Sequence, residues 1–212
     1  MADVGTLAVV SGFSGVGKGT VMKKMIEMSD RYALSVSATT RAPREGEIHG
    51  KEYFFLSEQA FIELIEKDEL IEYACYCGNY YGTPRKFVEE KLLSGSDVIL
   101  EIEIQGARKV RERFPEALLI FIMPPSGAEL IRRLAGRGTE NEQVIHDRIS
   151  RAAREAEGIE DYDYIFVNDD ADECAAQIDA LIQSNRHRVR VNSEFIEKIR
   201  GEIQLLQNMN SY

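Results

Sequence analysis

The stretch Gly12-Phe13-Ser14-Gly15-Val16-Gly17-Lys18-Gly19-Thr20 restricts this chain more than any other, because it fits the frame G-x-x-x-x-G-K. An apolar run, Thr6 to Ser11, precedes it, and Val21, Met22, Met25 and Ile26 follow at helical spacing. The chain therefore reads as strand, glycine-rich loop, helix. Such a loop lets backbone N–H groups converge on phosphate oxygens, while the helix N-terminus adds partial positive charge and Lys18 a full one. All of Gly12 to Thr20 is expected to line a polyphosphate site. A glycine-rich turn with an incidental lysine would explain a lone G-x-G, but not the whole frame between a strand and a helix. Ser or Thr usually follows the lysine to reach Mg²⁺; here Gly19 fills that slot and Thr20 comes next.

A strand leading into a helix belongs to α/β folds. Further buried-strand candidates are Val98 to Ile104, Leu118 to Met123 and Tyr164 to Val167, each set off by a helix-like segment, so a parallel sheet flanked by helices is expected. An acidic residue for the metal should stand at the carboxyl end of a strand beside the loop, and Val98-Ile99-Leu100-Glu101 supplies Glu101. Thr20 and Glu101 are the candidate metal ligands.

Two excursions interrupt the pattern. Leu34 to Pro84 carries short runs (Leu34 to Ser37, Tyr53 to Leu56, Leu70 to Cys77) around one helix, roughly Ser57 to Lys67, as in an inserted α+β subdomain. Pro125 to Tyr162 is helical and rich in Arg, broken at Gly136-Arg137-Gly138, where a hinge can form. The last segment, Arg186 to Tyr212, places Ile196, Ile199, Ile203 and Leu206 on one helical face. Two heptads are too short to hold a coiled coil alone, so a helix docked on its own domain is preferred to a dimer seam, and monomer and homo-oligomer both stay open.

The chain has 212 residues, room for one domain with insertions. With 26 Lys plus Arg against 36 Asp plus Glu, the net charge is −10, a field that repels phosphate backbones and anionic lipid. No nucleic-acid polymer and no membrane is expected as a partner. Three cysteines, Cys75, Cys77 and Cys174, are too few for a four-ligand zinc site and odd in number for a disulfide framework; they read as reduced thiols, mostly in the core. With no secretory-type N-terminus and no stretch near 18 apolar residues, the expected compartment is the cytoplasm.

No N-K-x-D motif is present, which disfavours a switch GTPase. The insertion instead carries Ser37-Ala38-Thr39-Thr40-Arg41-Ala42-Pro43-Arg44, then Tyr53, Glu72 and Gly78-Asn79-Tyr80-Tyr81-Gly82-Thr83. Two arginines three apart near tyrosines can clamp a second phosphate. With the loop, with Glu101 to Gly106 and with Gly136-Arg137-Gly138-Thr139, these segments resemble the guanylate kinase family from roughly Leu7 to Gln183.

The resemblance implies phosphoryl transfer from ATP, with Mg²⁺, to GMP and to dGMP. It implies a domain over residues 1–185, with core segments 1–36, 87–125 and 158–185, a GMP-binding subdomain at 37–86, a lid at 126–157 and a separate tail at 186–212. GMP phosphate would meet Arg41, Arg44, Tyr53 and Tyr81. The base would meet Ser37, Glu72 and Thr83, with Glu103 on the base or ribose side. Lys18, Arg137 and Arg148 would serve the transferred group, and Asn168 the ATP base; Arg133 is a further arginine candidate. The family more often has Asp where Glu101 and Glu103 stand, and the extra methylene extends each carboxylate by about 1 to 1.5 Å.

Guanine choice also follows from chemistry. Guanine presents N1–H and a 2-amino group side by side, so an ionised carboxylate accepts both, whereas adenine offers a lone pair and leaves an acceptor unpaired. The Ser37 and Thr83 hydroxyls can donate to O6 or N7. Kinases of other base preference share Lys-Gly-Thr loops, and silent guanylate-kinase-like modules bind proteins but have eroded loops, whereas Lys18 is kept. His49, His146 and His187 are expected at the surface, since a GMP phosphate needs no base.

Overall fold

Short apolar runs alternating with amphipathic helices give this computed structural model, which describes residues 4–76, 78–135, 149–150 and 152–209. In chain order the named elements are β1 (Leu7–Gly12), α1 (Lys18–Met28), β2 (Tyr32–Leu34), β3 (Ala38–Thr39), β4 (Phe54–Phe55), α2 (Glu58–Glu66), β5 (Leu70–Tyr76), β6 (Asn79–Pro84), α3 (Arg85–Leu93) and β7 (Asp97–Glu101). Then follow α4 (Ile104–Arg113), β8 (Leu118–Met123), α5 (Gly127–Ala135), a 3₁₀ turn (Ile159–Asp161), β9 (Tyr164–Val167), α6 (Ala171–Asn185), a second 3₁₀ turn (Val189–Asn192) and α7 (Ser193–Met209).

The main sheet runs β2-β7-β1-β8-β9 with every pairing parallel. Alternate side chains go to opposite faces. Leu7 and Val9 join Val98, Leu100 and Leu119 under Val88 of α3 and Val110 of α4. Ala8 and Val10 join Ile99 and Ile120 under Met22 of α1, Leu134 of α5 and Ile178 of α6. Helices thus cover both faces of an α/β sheet, and the phosphate loop leaves its central strand.

Two expected strands are drawn differently. The Val98 to Ile104 run stops at Glu101, whose partner is Val10, and Ile104 opens α4. Ile104 packs against the cluster of Ala8 and Val10, whereas Ala107 and Val110 of the same helix join that of Leu7 and Val9, and over so short an apolar run the sequence does not tell strand from helix. The Leu34 to Ser37 run is split: β2 ends at Leu34 in the main sheet, Ser35 N–H extends its ladder to the Ile99 carbonyl at 2.9 Å, and β3 begins the insertion.

The insertion is a second sheet, β4-β3-β6-β5, with β3–β4 parallel and β3–β6 and β5–β6 antiparallel. Phe61 of α2 packs with Ala38 and Leu70 to close it. Ser57 caps α2, its hydroxyl accepting the Ala60 N–H at 3.2 Å. Arg85 and Arg113 both pair with Asp68, at 2.5 and 2.7 Å, and Lys109 Nζ reaches the Tyr73 carbonyl at 2.5 Å, so this end of the insertion is tied to the core helices.

The described ends of the arginine-rich excursion pack on the core, with Leu130, Leu134 and Ala152 in the main cluster. Gly136, Arg137, Gly138, Arg148 and His146 lie outside the described residues. The tail corrects an expectation: no residue of α7 is buried, and Phe195, Ile203 and Leu206 are 45%, 58% and 59% exposed, so the helix does not dock on its own domain. Its root is firm, because Arg186 grips the fully buried Asp97 at 2.6 and 2.7 Å. Cys174 is in the core, whereas Cys75 is an exposed free thiol, and Cys77 lies outside the described residues. No helix among the described residues is long and apolar enough to cross a membrane.

Candidate active site

The loop after β1 turns through Gly15 (φ 81°) and Gly17 (φ 96°), left-handed conformations that side chains rarely adopt. Gly17 caps α1, so the first-turn N–H groups of Lys18 and Gly19, which have no partner within a helix, aim into the loop. Lys18 Nζ lies across its mouth, donating to the carbonyls of Gly12 at 2.6 Å and Phe13 at 3.3 Å. Val16 N–H donates to the Phe13 carbonyl at 3.1 Å and closes the turn.

The loop is also gripped from behind. The Val16 carbonyl accepts from Asn168 Nδ2 at 2.8 Å and from the Arg133 guanidinium at 3.2 Å, and Arg133 continues to the Asn168 carbonyl at 2.9 Å. Asn168 is 4% exposed, and its amide nitrogen lies 2.7 Å from where a Cβ on Gly17 would stand. Its side chain therefore braces the loop. Arg133 likewise braces the loop, and Glu129 takes up its Nε at 2.7 Å. Two arginines beside Glu129 hold that carboxyl down to about 2. Glu155, which the sequence did not single out, accepts the Ser14 N–H at 3.3 Å; only tertiary contact marks it.

Thr20 is exposed in the first turn of α1, and Gly19 faces open space, with nothing within 4 Å of where a Cβ on it would stand. Glu101 ends β7 beside β1, exposed to a cleft whose walls raise its carboxyl pKa, against the pull of Lys18 and with a further push from Glu103. A hydroxyl and a carboxylate are the hard oxygen donors that suit Mg²⁺, which commonly takes few protein ligands and completes its shell with water and phosphate oxygens. Among the described residues no three His, Cys, Asp or Glu side chains gather into a metal cluster.

The insertion builds a second cup. The β5–β6 register slips between Leu70 and Tyr73, where Leu70 pairs with Pro84 but Tyr73 pairs with Gly82. A bulge of this kind re-aims side chains, and here both Ile71 and Glu72 turn inward, at 0% and 7% exposure. Glu72 Oε1 accepts the hydroxyl of fully buried Thr83 at 2.8 Å. Burial pushes the Glu72 carboxyl pKa up, opposed by the Thr83 hydrogen bond and by Lys109.

Arg41 lies 5.3 Å from the Tyr53 ring centroid and 5.7 Å from that of Phe55, and the Tyr53 and Tyr81 rings meet edge to face at 6.1 Å. Glu47 holds the Arg41 guanidinium with two bonds of 2.9 Å and also accepts the Arg44 N–H at 2.7 Å, so Arg41 and Arg44 share one turn. Burial raises the Tyr53 hydroxyl pKa, with Tyr81 adding to the rise and Arg41 opposing it. Ser37 enters β3 with its carbonyl accepting the Phe54 N–H at 2.9 Å. Glu103 stands in the N-cap position of α4. Glu47 was missed from sequence; its charge spacing from Arg41 was the available signal.

A chain that carries a phosphate loop, an arginine–tyrosine cup and a buried acidic notch has known relatives. The family model described as guanylate kinase matches residues 4–185. The chain belongs to the guanylate kinase family. A guanylate kinase of Halalkalibacterium halodurans is 53% identical over 85% of this chain and 88% of its own length. One of Caldanaerobacter subterraneus is 48% identical over 93% and 96%. The crystal structure of the guanylate kinase of Anaplasma phagocytophilum superposes with a TM-score of 0.70 at 38% identity, covering 87% of this chain and 88% of that one. The guanylate kinase match takes in the whole insertion and leaves α7 beyond it.

Proposed function

We propose that this chain transfers the γ-phosphoryl group of ATP to GMP, forming ADP and GDP, and that dGMP is accepted as well. The observation that carries the assignment is the buried Glu72 carboxylate, held by Thr83 in an insertion of a chain that also carries a lysine-bearing phosphate loop. Ionised, it accepts N1–H and the 2-amino group of guanine; adenine would meet lone-pair repulsion there, and such sites discriminate by about 10⁴ to 10⁵. Ser37 and Glu103 complete the base and ribose side.

The GMP phosphate needs no general base. One of its anionic oxygens attacks the γ-phosphorus in line, the bond from phosphorus to the β-bridging oxygen breaks, and ADP leaves. Arg41, Arg44, Tyr53 and Tyr81 hold the acceptor phosphate in position. The backbone of Gly12 to Thr20 and the Lys18 ammonium hold the ATP phosphates and meet charge developing on the transferred group. Arg137 and Arg148 are assigned to the same charge. Thr20 and Glu101 would hold Mg²⁺ directly or through water, and the bound ion would supply neutralisation of phosphate charge. Closing the two excursions over the ligands excludes water that would otherwise hydrolyse ATP. A cytoplasmic setting suits the exposed free thiol of Cys75.

A coupled ADP-release assay with GMP, dGMP, AMP, UMP and dTMP, with and without Mg²⁺, tests this. GMP and dGMP should turn over and the others should not; equal turnover of AMP overturns the guanine assignment.

A further inference from the structure

Gly106 lies in the first turn of α4, on the core side of the guanine notch. A Cβ placed on it would stand 2.9 Å from Glu72 Oε2, 3.3 Å from Glu72 Cδ and 3.1 Å from Ile102 Cδ1. Glu72 is thus fixed at both oxygens, Oε1 by the Thr83 hydroxyl at 2.8 Å and Oε2 against a helix turn that can approach only because a side chain is missing. The first-turn N–H groups of α4 also put partial positive charge on that side of the carboxylate.

We infer that Gly106 is a positioning residue for guanine recognition: its missing Cβ sets where the Glu72 carboxylate stands and hence how squarely it meets N1–H and the 2-amino group. The inference rests on the guanine assignment above. What an added methyl would strike is the far end of a side chain and not backbone, so the structure yields there by moving the carboxylate. Alanine is also the better helix former. A substitution at Gly106 therefore leaves the fold standing and displaces the reading group, and a displaced charge-assisted hydrogen bond shows as about a tenfold change in affinity.

The test compares Gly106→Ala, Glu72→Ala and the double variant, reading GMP and ATP affinity by calorimetry, KM for both nucleotides, and thermal melting. Gly106→Ala should weaken GMP binding and raise its KM by about tenfold, leave KM for ATP within about twofold, and melt within a few degrees of the parent. In the Glu72→Ala background the same change should have no further effect on GMP, because the group it displaces is gone; a purely structural disturbance of α4 would add to the loss. The inference is overturned if Gly106→Ala binds GMP like the parent while Glu72→Ala does not, or if the losses add. Should Glu72→Ala keep full GMP affinity and discrimination against AMP, the guanine assignment itself falls, and this inference with it.

Discussion

Gly12 to Thr20 is built of backbone N–H groups from one continuous stretch, whereas the notch assigned to guanine is built of side-chain oxygens from β5 and β6, backed by the bare Gly106 turn of α4. The loop's geometry is fixed by two left-handed glycines and a helix start, and reinforced from behind by Asn168 and Arg133. The notch depends on a one-residue register slip and on one absent Cβ. Charge at the loop is generic and suits any polyphosphate; the proposed specificity rests on the notch, where a carboxylate is desolvated.

If the two regions divide the work in this way, single substitutions should separate them. Lys18→Ala should lower kcat by about 10² to 10³ while GMP affinity, measured by calorimetry, stays near the parent value; equal loss of GMP binding would show that the regions are not independent. Glu72→Ala should lower kcat/KM for GMP by about 10² with KM for ATP little changed. Asn168→Ala removes one brace and should raise KM for ATP by about tenfold or less, without touching the GMP/AMP ratio.

The acidity of the notch sharpens the comparison further. Burial raises the Glu72 pKa above the ordinary carboxylate value, so on lowering the pH it takes up a proton before an exposed glutamate does. Only the ionised form accepts both guanine donors, so kcat/KM for GMP should fall on the acid side before ATP binding does, and Glu72→Gln should abolish that limb. For stability the sign is reversed: ionising buried Glu72 costs folding free energy, a cost absent below the unfolded-state pKa and complete above the raised folded-state one. The smallest effect is expected at α7. A chain cut after Asn192 should melt and turn over as the full chain does, because no α7 residue is buried; a lower melting temperature would show that the helix has a partner.

Much of the first region was legible in the sequence because its parts are neighbours along the chain. A glycine at a required left-handed position, a lysine at a fixed offset and a following helix can be read without knowing what packs behind them. The central strands were legible for the same reason, as short apolar runs. Where β7 ends was not, since Ile102 and Ile104 fit both strand alternation and a helical stripe. The contact of Asn168 with the Val16 carbonyl could not be read either, because it joins residues far apart along the chain.

The amino-acid order alone determined the phosphate loop, the parallel α/β core and the pair of arginines beside tyrosines, because each rests on local backbone preference or on charge. The tertiary structure decided that Glu72 is buried and held by Thr83, that Gly106 makes room for it, that Arg133, Asn168 and Glu155 stand against the loop, and that α7 stands clear of the core. Those depend on which distant segments meet, and desolvation of a carboxylate exists only once they have met.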